Sequence, residues 1–207
     1  VHFIGIGGNA MHNLAIALHK KGYNVSGSDN VIIEPTHSRL KQYGLLPKDT
    51  KWHPEIISKK FEAIIVGVYI PADNPEILKA QELGIKLYSY PEFIYEQSKE
   101  KTRIVIGGSH GKTTITSIII HALSSNNIDV DYLVGDQLDG FESMVHLTND
   151  SNYIIIEGDE YLASAIDPRP KFHAYKPNIA LISGIAWDHV NVFPSFYIYI
   201  DQFRKFI

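Results

Sequence analysis

The sequence predicts an α/β protein of two parallel-sheet units, and three observations carry that prediction. Short apolar runs without polar interruption, such as Ile64-Ile65-Val66 and Ile154-Ile155-Ile156, are the pattern of strands buried on both faces. They alternate with segments whose apolar residues recur at helical spacing, and parallel sheets with helical crossovers accommodate that order. Twice, an apolar run enters a glycine-rich turn that opens a helix.

Composition bounds the rest. A chain of 207 residues, 44% hydrophobic and 20% charged, buries enough surface for two small domains. The polar, aperiodic Ser98-Lys99-Glu100-Lys101-Thr102 places their boundary, giving a domain over 1–100 and another over 101–207. The net charge is −4 and no long run of lysine or arginine occurs, so a nucleic-acid-binding surface is not expected. Zero cysteines exclude disulfides and thiolate metal sites. No signal segment and no membrane-spanning apolar run is visible, so the expectation is a cytoplasmic protein without membrane contact.

In the first half, His2-Phe3-Ile4-Gly5-Ile6 reads as a strand running into Gly7-Gly8-Asn9-Ala10, followed by a helix with Met11, Leu14, Ala15 and Leu18 on one face, closed by Gly22. Tyr23 to Gly27 reads as the second strand, ending at Ser28-Asp29, where an acidic residue commonly meets a ribose hydroxyl in dinucleotide-binding folds. Gly5-x-Gly7-x-x-Ala10 is thus a Rossmann-like fingerprint, although close helix-to-strand packing demands small residues too. A helix over Ser38 to Tyr43 and a strand over Ala63 to Gly67 follow. Tyr69 then falls at the carboxyl edge of the sheet, where open α/β folds bind ligands. Asn74-Pro75 opens a helix that Gly84 caps, and a strand at Lys86 to Ser89 and a helix from Pro91 to Gln97 complete the unit.

In the second half, Ile104-Val105-Ile106 runs into Gly107-Gly108-Ser109-His110-Gly111-Lys112-Thr113-Thr114. This is a phosphate cradle: glycines let N–H groups converge on phosphate oxygens, the helix N-terminus adds partial positive charge, Lys112 reaches the terminal phosphates, and the Thr113 hydroxyl can ligate Mg²⁺. The match to G-x-x-x-x-G-K-[ST] is incomplete, since Ile106 occupies the first glycine position. A helix ends at Ser124 to Asn127, and Asp131 to Val134 is the next strand. The 135–150 segment carries mixed turn signals and no clear element. Strands at Tyr153 to Ile156 and Ile179 to Ile182 deliver Glu157-Gly158-Asp159-Glu160 and, further on, Trp187-Asp188-His189 to the edge that carries the phosphate loop. Glu157 is the candidate Mg²⁺ ligand, because that ion prefers oxygen donors; spacing alone leaves His189 undecided.

These motifs occur in an order that resembles the Mur ligase family throughout the chain: Gly5-Ile6-Gly7-Gly8 with Gly27-Ser28-Asp29, Asp73-Asn74-Pro75-Glu76, the Gly108 to Thr114 loop, Glu157-Gly158-Asp159-Glu160 and Asp188-His189. The resemblance implies an ATP-dependent, Mg²⁺-requiring ligase of cell-wall building or recycling. It would phosphorylate a carboxylate of UDP-N-acetylmuramate and let an amine attack the acyl phosphate. It implies that Gly7, Gly8, Asn9, Ala10, Met11, Ser28, Asp29 and Tyr69 hold the UDP substrate and that Gly108, Ser109, His110, Gly111, Lys112, Thr113 and Thr114 hold ATP. Lys112, Glu157 and His189 would serve catalysis, with Thr113 and Glu157 on a first metal and His189 at a second. Asp167-x-Arg169-x-Lys171-Phe172 and Tyr175-x-Pro177 are most similar to the members that join a peptide, L-alanyl-γ-D-glutamyl-meso-diaminopimelate, rather than L-alanine. A lysine carbamylated in several members has Arg204 at its register here, with Lys205 beside it. The family also has a carboxy-terminal, amine-binding domain beyond Ile207, so these residues alone are expected to be inactive and to self-associate through Phe203, Phe206, Ile207 and a bare strand edge.

Overall fold

The computed structural model describes residues 1–137, 140–141, 143–164 and 166–207. They divide into two compact units, 1–93 with 164–167, and 94–163 with 168–207.

The first unit holds four parallel strands: β1 (His2–Ile4), β2 (Ser26–Ser28), β3 (Ile64–Val66) and β4 (Leu87–Ser89), in spatial order β2-β1-β3-β4. Helices α1 (Asn9–Lys20), α2 (Thr36–Gln42) and α3 (Pro75–Glu82) make the connections, and α4 (Tyr90–Ser98) crosses the division between the units. Ile4, Ile64, Val66, Ile77 and Ala80 form one buried cluster, as the uninterrupted apolar runs require. Asn74 caps α3 by accepting from Glu76 N at 2.9 Å, with Pro75 in the first turn. The second strand starts at Ser26 rather than Tyr23, because Tyr23 N still bonds back to Leu18 O at 3.0 Å and belongs to the end of α1.

The second unit has a five-stranded sheet of β5 (Thr102–Gly107), β6 (Asp131–Leu133), β7 (Val145–His146), β8 (Tyr153–Glu157) and β11 (Ile179–Ile182), in the order β11-β5-β8-β6-β7. All pairs are parallel except β6 with β7. A separate pair joins β9 (Leu162–Ser164) and β10 (Asp167–Pro170). Helix α5 (Lys112–Ser125) follows the glycine loop, α6 (Lys171–Ala174) is one turn, and α7 (Phe196–Phe206) closes the described chain. Ile154, Ile155 and Ile156 are fully buried, each contributing roughly 1.5–3 kcal/mol of apolar burial. Parallel pairing brings the carboxyl ends of β5, β8 and β11 to one edge, with Ile106 opposite Glu157 and Gly107 opposite Ile182.

One expectation is corrected here. Phe203 and Phe206 do not face water: they are 1% and 5% exposed and pack against Phe172 with ring centroids 5.3 and 4.6 Å away. Their spacing from Tyr199 makes the inner face of α7, which buries them within its own unit. Ile207 stays exposed, and the apolar surface that faces solvent includes Ile179 and Leu181 of β11, 53% and 38% exposed. No helix among the described residues is long and apolar enough to cross a membrane.

Candidate functional site

In the second unit, the turn between β5 and α5 is shaped by close approach. Gly108 has φ +125°, and a Cβ there would lie 2.4 Å from Ser183 Oγ and 2.9 Å from Gly184 O, so no other residue fits without displacement. The wall it meets follows β11: Ser183 N donates to Gly107 O at 2.9 Å, Ser109 N to Gly184 O at 3.0 Å, and Ser183 Oγ to His110 O at 2.6 Å. Ser109 Oγ donates to Ala186 O at 2.6 Å and accepts from Ala186 N at 2.9 Å. Gly111 starts α5, whose first-turn N–H groups and dipole point into the loop. His110 and Thr114 are exposed at its mouth.

Side chains complete the site. Lys112 Nζ donates to Gly108 O at 2.6 Å and to Glu160 Oε2 at 3.0 Å, and its side chain is only 14% exposed. Thr113 Oγ1 donates to Glu157 Oε1 at 2.8 Å, and Gly135 N donates to Glu157 Oε2 at 2.7 Å. Glu160 is fully buried and collects three contacts: Lys112, the Tyr199 hydroxyl at 3.0 Å on Oε1, and His189 Nε2 at 3.6 Å. Burial pushes the Asp159 pKa up, but Lys171 at 2.5 Å and the Tyr161 N–H at 2.9 Å outweigh it and hold that carboxyl below its ordinary range. Burial raises the Tyr199 phenol pKa, and neighbouring Glu160 adds to that rise. His189 has φ +51°, and its ring packs edge-on against Tyr161 with centroids 5.2 Å apart.

This donor set fits a magnesium nucleotide. Thr113 and Glu157 place a hydroxyl and a carboxylate together, and ligand atoms of Asp159, Glu160 and His189 lie within 4.8 Å of one another. Every residue proposed from the sequence for the phosphate and metal roles falls in this one region of the second unit. Glu160 and Tyr199 were not singled out. The signal for Glu160 lay within the named acidic cluster, and that for Tyr199 in the Tyr199, Phe203, Phe206 spacing after the Ser195 cap.

The first unit has its own loop. Asp29 Oδ2 accepts from Gly7 N at 2.8 Å and Asp29 Oδ1 from Val31 N at 3.2 Å. A Cβ on Gly7 would sit 2.8 Å from that carboxylate, so a packing demand accounts for this glycine. Gly8, Asn9 and Ala10 are exposed at the start of α1, whereas Met11 is 4% exposed and belongs to the core. The Ser28 hydroxyl is engaged by buried Glu76, and Tyr69 is 84% exposed.

Residues 1–102 match the family model described as Mur ligase family, catalytic domain, and residues 106–207 match the Mur ligase middle domain. The chain belongs to the Mur ligase family. It is 36% identical over 208 residues to the UDP-N-acetylmuramate--L-alanine ligase of Clostridium perfringens, covering 100% of this chain and 43% of that protein. Among solved structures, it aligns over its whole length with the UDP-N-acetylmuramate:L-alanyl-gamma-D-glutamyl-meso-diaminopimelate ligase of Neisseria meningitides, at TM-score 0.87, 25% identity and 66% of that chain. A murein peptide ligase of Psychrobacter arcticus aligns at TM-score 0.81 and 26% identity, covering 100% of this chain and 46% of that one. The chain spans under half the length of the curated relatives it matches. Mur ligase residues thus account for both of its units.

Proposed function

We propose that this Mur ligase chain forms the UDP-substrate-binding and ATP-binding parts of an ADP-forming amide ligase acting on UDP-N-acetylmuramate. The observation that carries this is the pairing of Lys112 and Thr113 with separate buried carboxylates, Glu160 and Glu157, at the mouth of a loop that needs glycine at position 108. The loop N–H groups and the Lys112 ammonium stabilise charge that develops as a γ-phosphoryl group leaves ATP for a carboxylate. Glu160 holds the ammonium at the loop rather than in solvent. Thr113 and Glu157 would hold one Mg²⁺, with His189 beside Glu160 for a second; the metal supplies charge neutralisation when bound. An amine then attacks the acyl phosphate to give an amide and phosphate. In the protein that carries these units, Lys112→Ala tests the reading: ATP-dependent ligation should be lost while UDP-N-acetylmuramate binding remains.

Of two candidate amines, L-alanine has the better support. The curated relatives, at 33–36% identity, favour L-alanine. The peptide L-alanyl-γ-D-glutamyl-meso-diaminopimelate is supported by the Asp167 to Pro177 motif and by two structural neighbours at TM-scores 0.87 and 0.81, although a UDP-N-acetylmuramate-alanine ligase of Thermotoga maritima also aligns over 99% of this chain at 0.76. Of that motif, Lys171 reaches the site by pairing with Asp159. Competition between the two amines, read by product mass, decides between them.

A further inference from the structure

Helix α7 reaches the phosphate loop through one hydroxyl. Tyr199 Oη lies 2.7 Å from Ser109 Oγ and 3.0 Å from Glu160 Oε1, while its ring is buried between Phe193 and Phe203 at centroid distances of 5.4 and 5.2 Å. Tyr199 donates its one proton to Glu160 Oε1, so in the short contact with Ser109 the phenol oxygen can accept from the serine hydroxyl, which also lies 2.6 Å from Ala186 O. The phenol thus bridges two groups, accepting from the loop serine and donating to the carboxylate that holds Lys112. A buried polar group so placed rigidifies what it joins, and leaving either partner unpaired in a dry site is costly.

We propose that Tyr199 is a positioning residue of the phosphate site: its hydroxyl joins Ser109 of the loop to Glu160, so that α7 fixes where the Lys112 ammonium stands. Neither the sequence motifs nor the family comparison assigns it this role, and the inference rests on the nucleotide-binding reading above. Removing the hydroxyl frees Glu160 Oε1 to turn towards His189, leaves Ser109 bonded to Ala186 alone through its hydroxyl, and lets Lys112 follow Glu160. The aromatic packing that holds α7 needs only the ring.

The test is titration of the 207-residue chain with Mg²⁺ and a non-hydrolysable ATP analogue by calorimetry, at a temperature where circular dichroism shows each variant folded. Tyr199→Phe should weaken binding by roughly tenfold, the scale of one lost hydrogen bond to a charged group. Tyr197→Phe, on the same helix but 82% exposed, should leave it unchanged. A purely structural role would lower the melting temperature of Tyr199→Phe and leave affinity at the lower temperature within twofold, which overturns the proposal. In the unmodified chain the analogue should also slow amide hydrogen exchange in α7 around Tyr199; no added protection there, with binding observed, overturns it equally and needs no variant. A wild-type chain that binds no nucleotide refutes the phosphate-site reading itself, a result distinct from equal binding by wild type and Tyr199→Phe.

Discussion

The two glycine loops share a plan, strand into turn into helix, and differ in what surrounds the turn. In the first unit the loop is closed by its own acid: Asp29 takes the Gly7 N–H, and α1 opens with Asn9-Ala10-Met11, its lysine coming at the far end. In the second unit a lysine opens the helix, and two buried glutamates receive Lys112 and Thr113. A loop that only binds phosphate can rely on N–H groups and the helix dipole, whereas one that transfers it needs a mobile charge held ready and ligands for a cation. The difference lies in side-chain charge more than in backbone, which is why the two turns look alike as glycine patterns and unlike as chemistry.

The largest test of this contrast is Lys112→Ala. Ligation by the protein that carries both units should fall by more than about a hundredfold, as when one preorganised charge-stabilising donor is removed, with UDP-substrate affinity unchanged in calorimetry. Retention of most of the turnover would erase the distinction between the loops. Asp29→Ala is the mirror experiment. It leaves Gly7 N and Val31 N without their acceptor, so it should destabilise the fold by about 1–3 kcal/mol in urea unfolding and weaken binding of the UDP substrate by roughly tenfold. Binding of an ATP analogue should not change.

A smaller effect concerns acid. Asp159 has a folded-state pKa held below the ordinary value of 3.8, so its pair with Lys171 adds stability that is complete above that value and is lost as pH falls through the lower, folded one. Melting temperature followed from about pH 5 to pH 3 should drop less steeply in Lys171→Met than in wild type. Parallel curves would show that the pair contributes nothing. The smallest effect is expected at β11. Leu181→Lys should reduce self-association of the 207-residue chain in sedimentation at high concentration, because it places charge on an apolar strand at the end of the sheet. Identical profiles would move the association surface elsewhere.

Much of the scaffold was legible because its signals are local. Uninterrupted isoleucine and valine runs gave β3, β5 and β8, and glycine or Asn-Pro punctuation gave the ends of α1 and the start of α3. Glu157 was recognisable as the first acid beyond a buried strand. What escaped depends on partners distant in sequence. Glu160 is buried against Lys112 while Asp159, half-exposed, faces Lys171, and adjacency in the chain cannot decide that. The acceptor role of Asp29 towards Gly7 N was not visible in its place after β2. Helix α7 is rich in aromatic and β-branched residues of middling helix propensity, so the spacing of Tyr199, Phe203 and Phe206 was its main signal, and what that face packs on becomes clear only with Phe172 beside it. The short β7, β9 and β10 carry too few residues for any period to show.

The wall of the phosphate loop is made by Ser183, Gly184 and Ala186, which stand more than seventy residues further along the chain than the residues they bond. A segment cut to hold only β5, the turn and α5 would keep the motif and lose the shape. The same holds in time. A chain emerging and folding from its N-terminus has the glycines, Lys112 and Thr113 long before it has the strand that sets them, and the entropic cost of closing that long loop falls on β11. The shape of the loop therefore arrives late, when β11 docks on β5. Pulse-labelled amides of the loop should become protected together with those of β11, and not with those of α5.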